Sequence, residues 1–257
     1  MPNWVANNIY FDTDEKTFNE IVKFVKGEES DFDFNKVIPM PSELVSTTSP
    51  ARIVSEEEYN EFLKKEKVDG YYSTPITKEM SDNFIEKYNA NNWYDWSVYN
   101  WNTKWNACDV YIGDDSIEFS TAWSHPYNVI KTLSEKFPNV SMSVKYSDED
   151  FGYNVGEYTI MNGDEIDSFF PEGGSEEAYK LALEIRGDDD FYIWEAFFDV
   201  DEEESIDNNT FYNTMIKLSY ERYKDVDLNF PSNVLDKFLE IALEDENYEL
   251  ASKIKNK

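Results

Sequence analysis

The chain has 257 residues, of which 54 are Asp or Glu and 23 are Lys or Arg, so its formal net charge at pH 7 is −31. Such a charge repels nucleic acid and anionic membranes and attracts cationic surfaces, so direct binding of nucleic acid or membrane is not expected. The chain also has 7 Trp, 18 Tyr and 18 Phe, which supply enough apolar surface for a core and exclude a disordered chain.

Residues suited to metal or redox chemistry are scarce. The single cysteine, Cys108, cannot form an internal disulfide, which fits a reducing compartment. Together with the single histidine, His125, it cannot supply a four-ligand zinc site, so we expect no metal and no cofactor. No run of about 18 apolar residues and no signal-peptide pattern are present, and we expect a cytoplasmic protein.

In chain order, strand and helix patterns alternate over the first two thirds of the sequence. Asn8–Phe11 predicts a strand, and Asp14 is placed to cap a helix that ends before Gly27. Residues 31–44 are expected to be extended, because Pro39 and Pro41 interrupt them. Apolar spacing predicts helices at residues 15–26, 56–67, 78–88 and 127–137. Further strands are predicted at residues 110–112, 117–119, 140–146, 153–161 and 166–170.

The remaining third of the chain has a helical pattern. Pro171–Gly174 marks the boundary, and helices are predicted at 176–186, 209–223 and from 232 onward. We therefore predict an α+β domain at residues 1–171, with helices on one face of an antiparallel sheet and a helical insertion at about 52–106. A small, mainly helical acidic domain at residues 172–257 follows it.

Several segments of the predicted α+β domain resemble a known family. They are Met1–Trp4, Phe34–Pro41, Asn91–Trp96, Asn100–Ala107 and Thr121–Ser124. Together they resemble the YubB-like proteins of phages and plasmids, over residues 1–171. The resemblance implies a ferredoxin-like fold and a mobile-element origin, and it brings no catalytic residue with it. Asn102 stands where that family has glycine, and Asn is the residue that best tolerates a positive φ after glycine.

The end of the chain resembles a second, shorter pattern. Phe238–Ile254 is similar to the UVR motif, in which two helices meet across an acid-rich turn and mediate protein–protein contact. An ordinary amphipathic terminal helix is the alternative interpretation of the same residues.

Two groups of residues invite a functional interpretation and have a structural alternative. Trp93, Trp96, Trp101 and Trp105 could stack on bases, but Lys104 is the single cation near them, so we expect a packed core. Cys108 and His125 could form a nucleophile and base, but no oxyanion hole or nucleophile elbow accompanies them. We expect a small buried cysteine and a turn histidine, and therefore no catalytic residue.

The most acidic stretch carries the functional prediction. Residues 187–216 contain ten acids and no Lys or Arg. Carboxylates at this density can imitate the phosphates of nucleic acid on a basic surface. We therefore expect a phage-encoded inhibitor that binds a host nucleic-acid-binding defence protein, such as a nuclease or its effector complex. The candidate partner-binding residues are Asp188, Asp189, Asp190, Glu195, Asp199, Asp201, Glu202, Glu203 and Glu204.

Two other classes of function remain open on the sequence alone. A carboxylate- or metal-dependent hydrolase would need two carboxylates at a fixed separation in a cleft, which sequence cannot reveal. The acidic runs lack the ligand spacing of an EF-hand loop, so no specific calcium site is predicted. A self-assembling phage accessory protein is the other alternative, and the sequence does not predict an oligomeric state.

Overall fold

The chain divides into two units, and the computed structural model describes residues 3–64, 74–186, 210–223 and 232–255 of it. The first unit comprises Met1–Glu149 and Glu157–Phe169, and the second comprises Asp150–Gly156 and Phe170–Lys257. The connection between the sixth and seventh strands therefore belongs to the second unit. The division into domains 1–171 and 172–257 stays a prediction.

A six-stranded antiparallel sheet dominates the first unit, in the order β4-β5-β1-β6-β7-β8. A separate parallel pair joins β2 and β3. The strands are β1 (Trp4–Asp12), β2 (Ile53–Val54), β3 (Ile76–Thr77), β4 (Cys108–Ile112), β5 (Ser116–Ala122), β6 (Ser141–Asp148), β7 (Val155–Met161) and β8 (Asp164–Phe169).

Described helices occur in both units, six in the first and four in the second. They are α1 (Glu15–Val25), α2 (Phe34–Val37), α3 (Glu56–Lys64), α4 (Lys78–Tyr88), α5 (Trp93–Trp101), α6 (Tyr127–Lys136), α7 (Glu176–Arg186), α8 (Thr210–Tyr223), α9 (Ser232–Glu244) and α10 (Tyr248–Lys255).

The order of elements in the first unit is that of a ferredoxin-like fold. β1, α1, β4, β5, α6 and β6 follow one another along the chain, and their strands lie in the order β4-β5-β1-β6. The hairpin β7–β8 extends this sheet beyond β6. The additional elements α2 to α5 lie between α1 and β4, a range that includes the predicted insertion at 52–106. The predicted fold class is therefore confirmed.

Side-chain alternation gives the sheet one buried and one open face. Val5, Ile9 and Phe11 of β1 point into the core, where they pack beside residues of β5 and β6. Helix α1 covers this face with Phe18, Ile21 and Val25, and Asp14 caps it by accepting a hydrogen bond from the Thr17 N–H at 3.0 Å. The predicted first helix and its cap are therefore confirmed.

Two local predictions are corrected, and a third lies partly outside the described residues. Residues 34–37 form the short helix α2 instead of extended chain, because Asp33 caps it by accepting from the Asn35 N–H at 3.0 Å. Helix α3 is described only to Lys64, so the predicted continuation to 67 lies outside the described residues. The aromatic segment 93–101, for which no helix was predicted, forms α5.

The second unit has its own helical core. Tyr179 of α7, Ile216 and Tyr220 of α8, and Phe238 of α9 are buried together in it. The terminal segment forms two helices instead of one, joined by a turn at Glu246, whose φ is 56°. Asn247 begins the last helix by accepting a hydrogen bond from the Leu250 N–H at 3.2 Å. The segment that resembles a UVR motif is thus a helical hairpin with an acidic turn.

Candidate partner-binding surfaces

The nine carboxylates predicted to bind a partner lie outside the described residues. They are Asp188, Asp189, Asp190, Glu195, Asp199, Asp201, Glu202, Glu203 and Glu204, within the range 187–209. The structure therefore neither brings them together nor separates them. Described carboxylates of the first unit are exposed on β8 and partly exposed on one face of the sheet.

The open face of the sheet presents a row of side chains that crosses all its strands. Pairing places Tyr111 opposite Glu118, Glu118 opposite Asn8, and Asn8 opposite Lys145. The Lys145 Nζ forms an ion pair with Glu157 at 3.3 Å, and Glu157 lies opposite Phe169. This cross-sheet row thus has an exposed aromatic ring at each end, with two carboxylates and one paired lysine between them.

The edge strand β8 is the most exposed strand of the sheet. All six of its residues are exposed, and Asp164, Glu165 and Asp167 are among them. Glu165 accepts a hydrogen bond from the Tyr127 hydroxyl at 2.6 Å. No Lys or Arg among the described residues forms an ion pair with Asp164 or Asp167. A shallow groove of about 200 Å³ lies over β7 on the open face and is lined by residues of β6, β7 and β8.

Most of the tryptophan-rich segment is core, as predicted. Trp93, Trp96 and Trp101 of α5 are buried, and the Trp101 Nε1–H donates to the Ile38 carbonyl at 2.9 Å. Helix α5 ends at Asn102, whose φ is 63°, so the asparagine forms a left-handed cap. These rings cannot stack on bases, because they are enclosed by other side chains.

The chain just beyond α5 builds a different aromatic site at the surface. The Lys104 Nζ lies 4.2 Å from the ring centre of Trp105 and 4.4 Å from that of Trp123. Tyr94 contacts the edge of Trp123 with ring centres 6.1 Å apart, and Trp4 of β1 lies 6.0 Å from Trp105. We call Trp105, Lys104 and Trp123 the tryptophan–lysine sandwich. Trp4 connects it to the open face of the sheet.

The backbone of Trp123 is strained. Its φ is 72°, in the left-handed region that bulky side chains rarely adopt. Hydrogen bonds on both sides of the residue maintain this conformation. The Trp123 N–H donates to the Asn3 carbonyl at 2.8 Å, the Ser124 hydroxyl donates to the Asn102 carbonyl, and the Thr121 hydroxyl donates to the Ser124 carbonyl at 2.9 Å. Even so, 44% of Trp123 remains exposed.

His125 belongs to a polar network that includes Asn7 of β1 and Tyr158 of β7. Its Nδ1 lies 2.7 Å from Asn7 Oδ1, its Nε2 lies 2.7 Å from the Tyr158 hydroxyl, and its ring stacks on Tyr146. Loss of hydration lowers the pKa of His125 to about 3, and burial raises the pKa of Tyr158 well above its usual value. His125 lies between β5 and α6, as predicted for a turn residue before Pro126, and both of its ring nitrogens have hydrogen-bond partners.

Cys108 does not join His125. Its thiol contacts the Asn106 carbonyl at 3.6 Å, while both ring nitrogens of His125 have other partners. Burial raises the pKa of the Cys108 thiol, which reduces its thiolate fraction and its reactivity. A cysteine–histidine nucleophile is therefore not formed.

The described carboxyls with shifted pKa values do not suit general acid catalysis. Backbone and side-chain hydrogen bonds lower the pKa of Asp14 and Glu43, and hydrogen bonding to Lys180 lowers that of Glu176. A glycosidase acid needs the opposite shift. Within the described ranges, no three His, Cys, Asp or Glu side chains converge to hold a metal ion. Every helix in those ranges is too short or too polar to span a membrane.

Comparison with known proteins supports the fold. Residues 100–205 match the family model described as a ferredoxin-like domain in Api92-like protein. A crystal structure of the protein api92 from Yersinia pseudotuberculosis is 12% identical, with alignment over 68% of this chain and 99% of that chain and a TM-score of 0.36. A likeness this distant carries no argument. No curated protein matches the sequence.

The family match covers part of the ferredoxin-like order of elements, since β1 and α1 lie outside it. The matched residues begin in the last turn of α5 and include β4 to β8 and α7. The resemblance to YubB-like proteins is not confirmed by this match and stays a prediction. The chain contains a ferredoxin-like domain similar to that of Api92-like proteins.

Proposed function

We propose that the protein binds and inhibits a nucleic-acid-binding protein by presenting carboxylates to its basic surface. Nucleic-acid-binding sites are lined with Lys and Arg, and a strand of duplex DNA offers them one phosphate per about 3.4 Å of axis. A chain of net charge −31 that retains a folded core can offer the same charge on a rigid support. The bound protein then excludes the nucleic acid.

The observation that carries this proposal is the composition of β8. Asp164 and Asp167 are exposed on this strand and lie opposite Met161 and Thr159, so both point to the open face, whereas Glu165 lies opposite Ile160 on the other face. Because a strand rises about 3.3 Å per residue, the two open-face charges lie about 10 Å apart, roughly three phosphate spacings along one DNA strand. The acidic residues 188–204 add further carboxylates to the same chain.

The same surface argues against nucleic acid as the direct ligand. Sheets that bind single strands stack bases on aromatic side chains beside a basic groove. Tyr10 and Tyr111 are exposed on the open face, but Glu118 lies opposite Tyr111, and Lys145 is paired with the carboxylate of Glu157. Repulsion between these carboxylates and phosphates opposes binding.

The class of partner follows from the resemblance to phage and plasmid proteins. An element that enters a bacterial cell meets nucleases and effector complexes that bind its DNA, so a host defence protein of this kind is the proposed target. The protein acts in this proposal by occupying a site and carries out no reaction.

Affinity capture with charge-changed variants tests the proposal. The tagged protein is used to capture partners from bacterial lysate, and binding is compared with that of Asp164→Asn/Asp167→Asn and of a variant with residues 201–204 reversed to Lys. We expect each variant to bind its partner at least about tenfold more weakly at low salt. The matched control is Glu56→Gln/Glu57→Gln on α3, which removes two exposed charges elsewhere. Equal binding by all four proteins would refute the proposed surfaces.

A further inference from the structure

We propose that the tryptophan–lysine sandwich is a docking site for an arginine side chain of a protein partner, whose guanidinium displaces the ammonium of Lys104. That the partner is positively charged rests on the proposed function. The sandwich is an anchor separate from the predicted acidic residues. In the free protein, Lys104 occupies the place between the two rings that the arginine takes on binding.

The spacing of the sandwich fits a single cation. Both indole centres lie within 4.5 Å of the same Lys104 nitrogen, at 4.2 Å and 4.4 Å. Attraction between a cation and an indole extends to about 6 Å from the ring centre. A guanidinium is planar, stacks on aromatic faces and is more weakly hydrated than an ammonium. An arginine therefore gains more from the same two rings than the lysine that occupies them.

The strained backbone of Trp123 indicates that the position of its ring has a function. The left-handed region is unfavourable for a bulky residue, and residues in such strained conformations cluster at functional sites. Burial does not explain the conformation, because Trp123 is the most exposed of the six tryptophans in the described ranges. Three hydrogen bonds hold the segment 121–124 in place without the indole ring taking part. What the conformation achieves is the placement of an exposed indole against Lys104.

The surroundings of the sandwich favour a cationic partner. Trp4, which packs on Trp105, donates its backbone N–H to the carboxylate of Glu149 at 3.0 Å. Asp95, exposed on the first turn of α5, follows Tyr94, whose ring contacts Trp123. A partner's arginine thus approaches through a negative field and reaches a partly desolvated slot, in which cation–π attraction is stronger than in open water.

A peptide titration followed by NMR tests this site without any nucleic acid. The probe is acetyl-Gly-Arg-Gly-amide, and its matched control carries citrulline, which has the shape of arginine without its charge. We expect the arginine peptide to shift the indole N–H signals of Trp105 and Trp123 and to leave those of Trp93, Trp96 and Trp101 in place. Binding should exceed that of the citrulline peptide by about fivefold.

Two substitutions at the site have opposite expected effects. Lys104→Ala removes the internal competitor and should tighten arginine binding by at least about threefold. Trp123→Gly removes one ring, relieves the positive φ and should abolish the shift at Trp105. Lys87→Ala is the control, since Lys87 Nζ lies over a single ring, that of Tyr88, at 4.6 Å, and its removal changes the charge equally.

The outcomes separate this inference from the proposed function. Unchanged or weaker binding by Lys104→Ala, or equal shifts with the citrulline peptide, would overturn the docking site and show that Lys104 only covers the rings. Such a result leaves capture through the carboxylates of β8 untouched. Conversely, an arginine site confirmed by the titration survives even when no nucleic-acid-binding partner is captured.

Discussion

Asn7 determines which nitrogen of His125 carries the proton. The Asn7 amide nitrogen donates to the Val5 and Phe119 carbonyls and to the Thr121 hydroxyl, so its oxygen faces His125 as an acceptor, 2.7 Å from Nδ1. The His125 Nδ1 must therefore donate. Nε2 is then the acceptor for the Tyr158 hydroxyl at 2.7 Å, and the network is satisfied only by a neutral imidazole.

This network predicts a pH dependence of stability. The pKa of His125 is about 3 in the folded protein and about 6.5 in the unfolded chain. The unfolded state therefore binds the extra proton as the pH falls below 6.5, and the stabilisation is lost progressively between pH 6.5 and pH 3. We expect the free energy of unfolding to fall by about 2 kcal/mol more between pH 7 and pH 5 in the wild type than in His125→Gln.

Chemical denaturation of both proteins at the two pH values measures this difference. The acidic side chains are common to both proteins, so their contribution to the pH dependence cancels in the comparison. Parallel pH profiles for the wild type and His125→Gln would show that His125 is not held neutral.

The left-handed cap of α5 predicts a ranking of substitutions at position 102. Asn102→Gly keeps the permissive backbone and loses the hydrogen bond that the Asn102 side chain accepts from the Asn128 N–H at 2.9 Å. Asn102→Ala loses that bond too and meets the steric cost of a positive φ. We expect alanine to be less stable than glycine by about 1–2 kcal/mol in urea unfolding. A glycine variant no more stable than the alanine variant would contradict the assigned conformation.

The aromatic segment predicts a sharp contrast between two neighbouring rings. Trp101 is buried and hydrogen-bonded to the Ile38 carbonyl, whereas Tyr99 is 63% exposed. Trp101→Ala should cost about 3–5 kcal/mol of unfolding free energy. Tyr99→Ala should change it by less than about 0.5 kcal/mol. Similar losses for both variants, measured by denaturant titration, would mean that the helix does not bury the face described.

The acids of β8 also predict resistance to association through the sheet edge. Ile166 and Phe169 are exposed on this edge strand, and charged neighbours prevent such an edge from pairing with another chain. Asp167→Val should therefore raise the apparent mass with protein concentration in light scattering. Asp114→Val, in the exposed turn between β4 and β5, is the control and should behave as the wild type does. An unchanged mass for Asp167→Val would show that Asp167 does not protect the edge.

Much of the fold follows from local signals in the sequence. Helices α4 and α7 have the predicted bounds, and α1 begins at its predicted cap. The hairpin β4–β5 was predicted from its strand composition and turn, although both strands are longer than expected. In each case the signal is contained in a few neighbouring residues, so no knowledge of distant contacts is needed.

Helix α5 was missed because its aromatic residues do not give an amphipathic pattern. Trp93, Trp96 and Trp101 lie on one buried face, but Val98 and Tyr99 on the exposed face are also apolar, and aromatic residues are weak helix formers. A local signal was nevertheless present. Asn92 accepts a hydrogen bond from the Asp95 N–H at 3.0 Å and donates to the Asp95 carboxylate at 2.6 Å, which resembles a capping box.

The candidate sites depend on contacts that sequence spacing does not reveal. His125 meets Asn7 and Tyr158 across 118 and 33 positions of the chain. The sandwich joins Lys104 to Trp123 only because the ends of α5 and β5 meet, and no local pattern predicts a tryptophan with positive φ. The acidic charge was evident from composition, but the place of Asp164, Glu165 and Asp167 on an edge strand required the sheet order.

Competition with DNA for a captured partner tests the central claim most directly. The tagged protein is incubated with bacterial lysate at ~50 mM and ~500 mM salt, with and without duplex DNA. The account predicts one nucleic-acid-binding protein that is retained at low salt and is released both by high salt and by DNA. A retained partner that DNA does not displace, or the absence of any specific partner, would contradict the claim that the carboxylates of this protein take the place of phosphates.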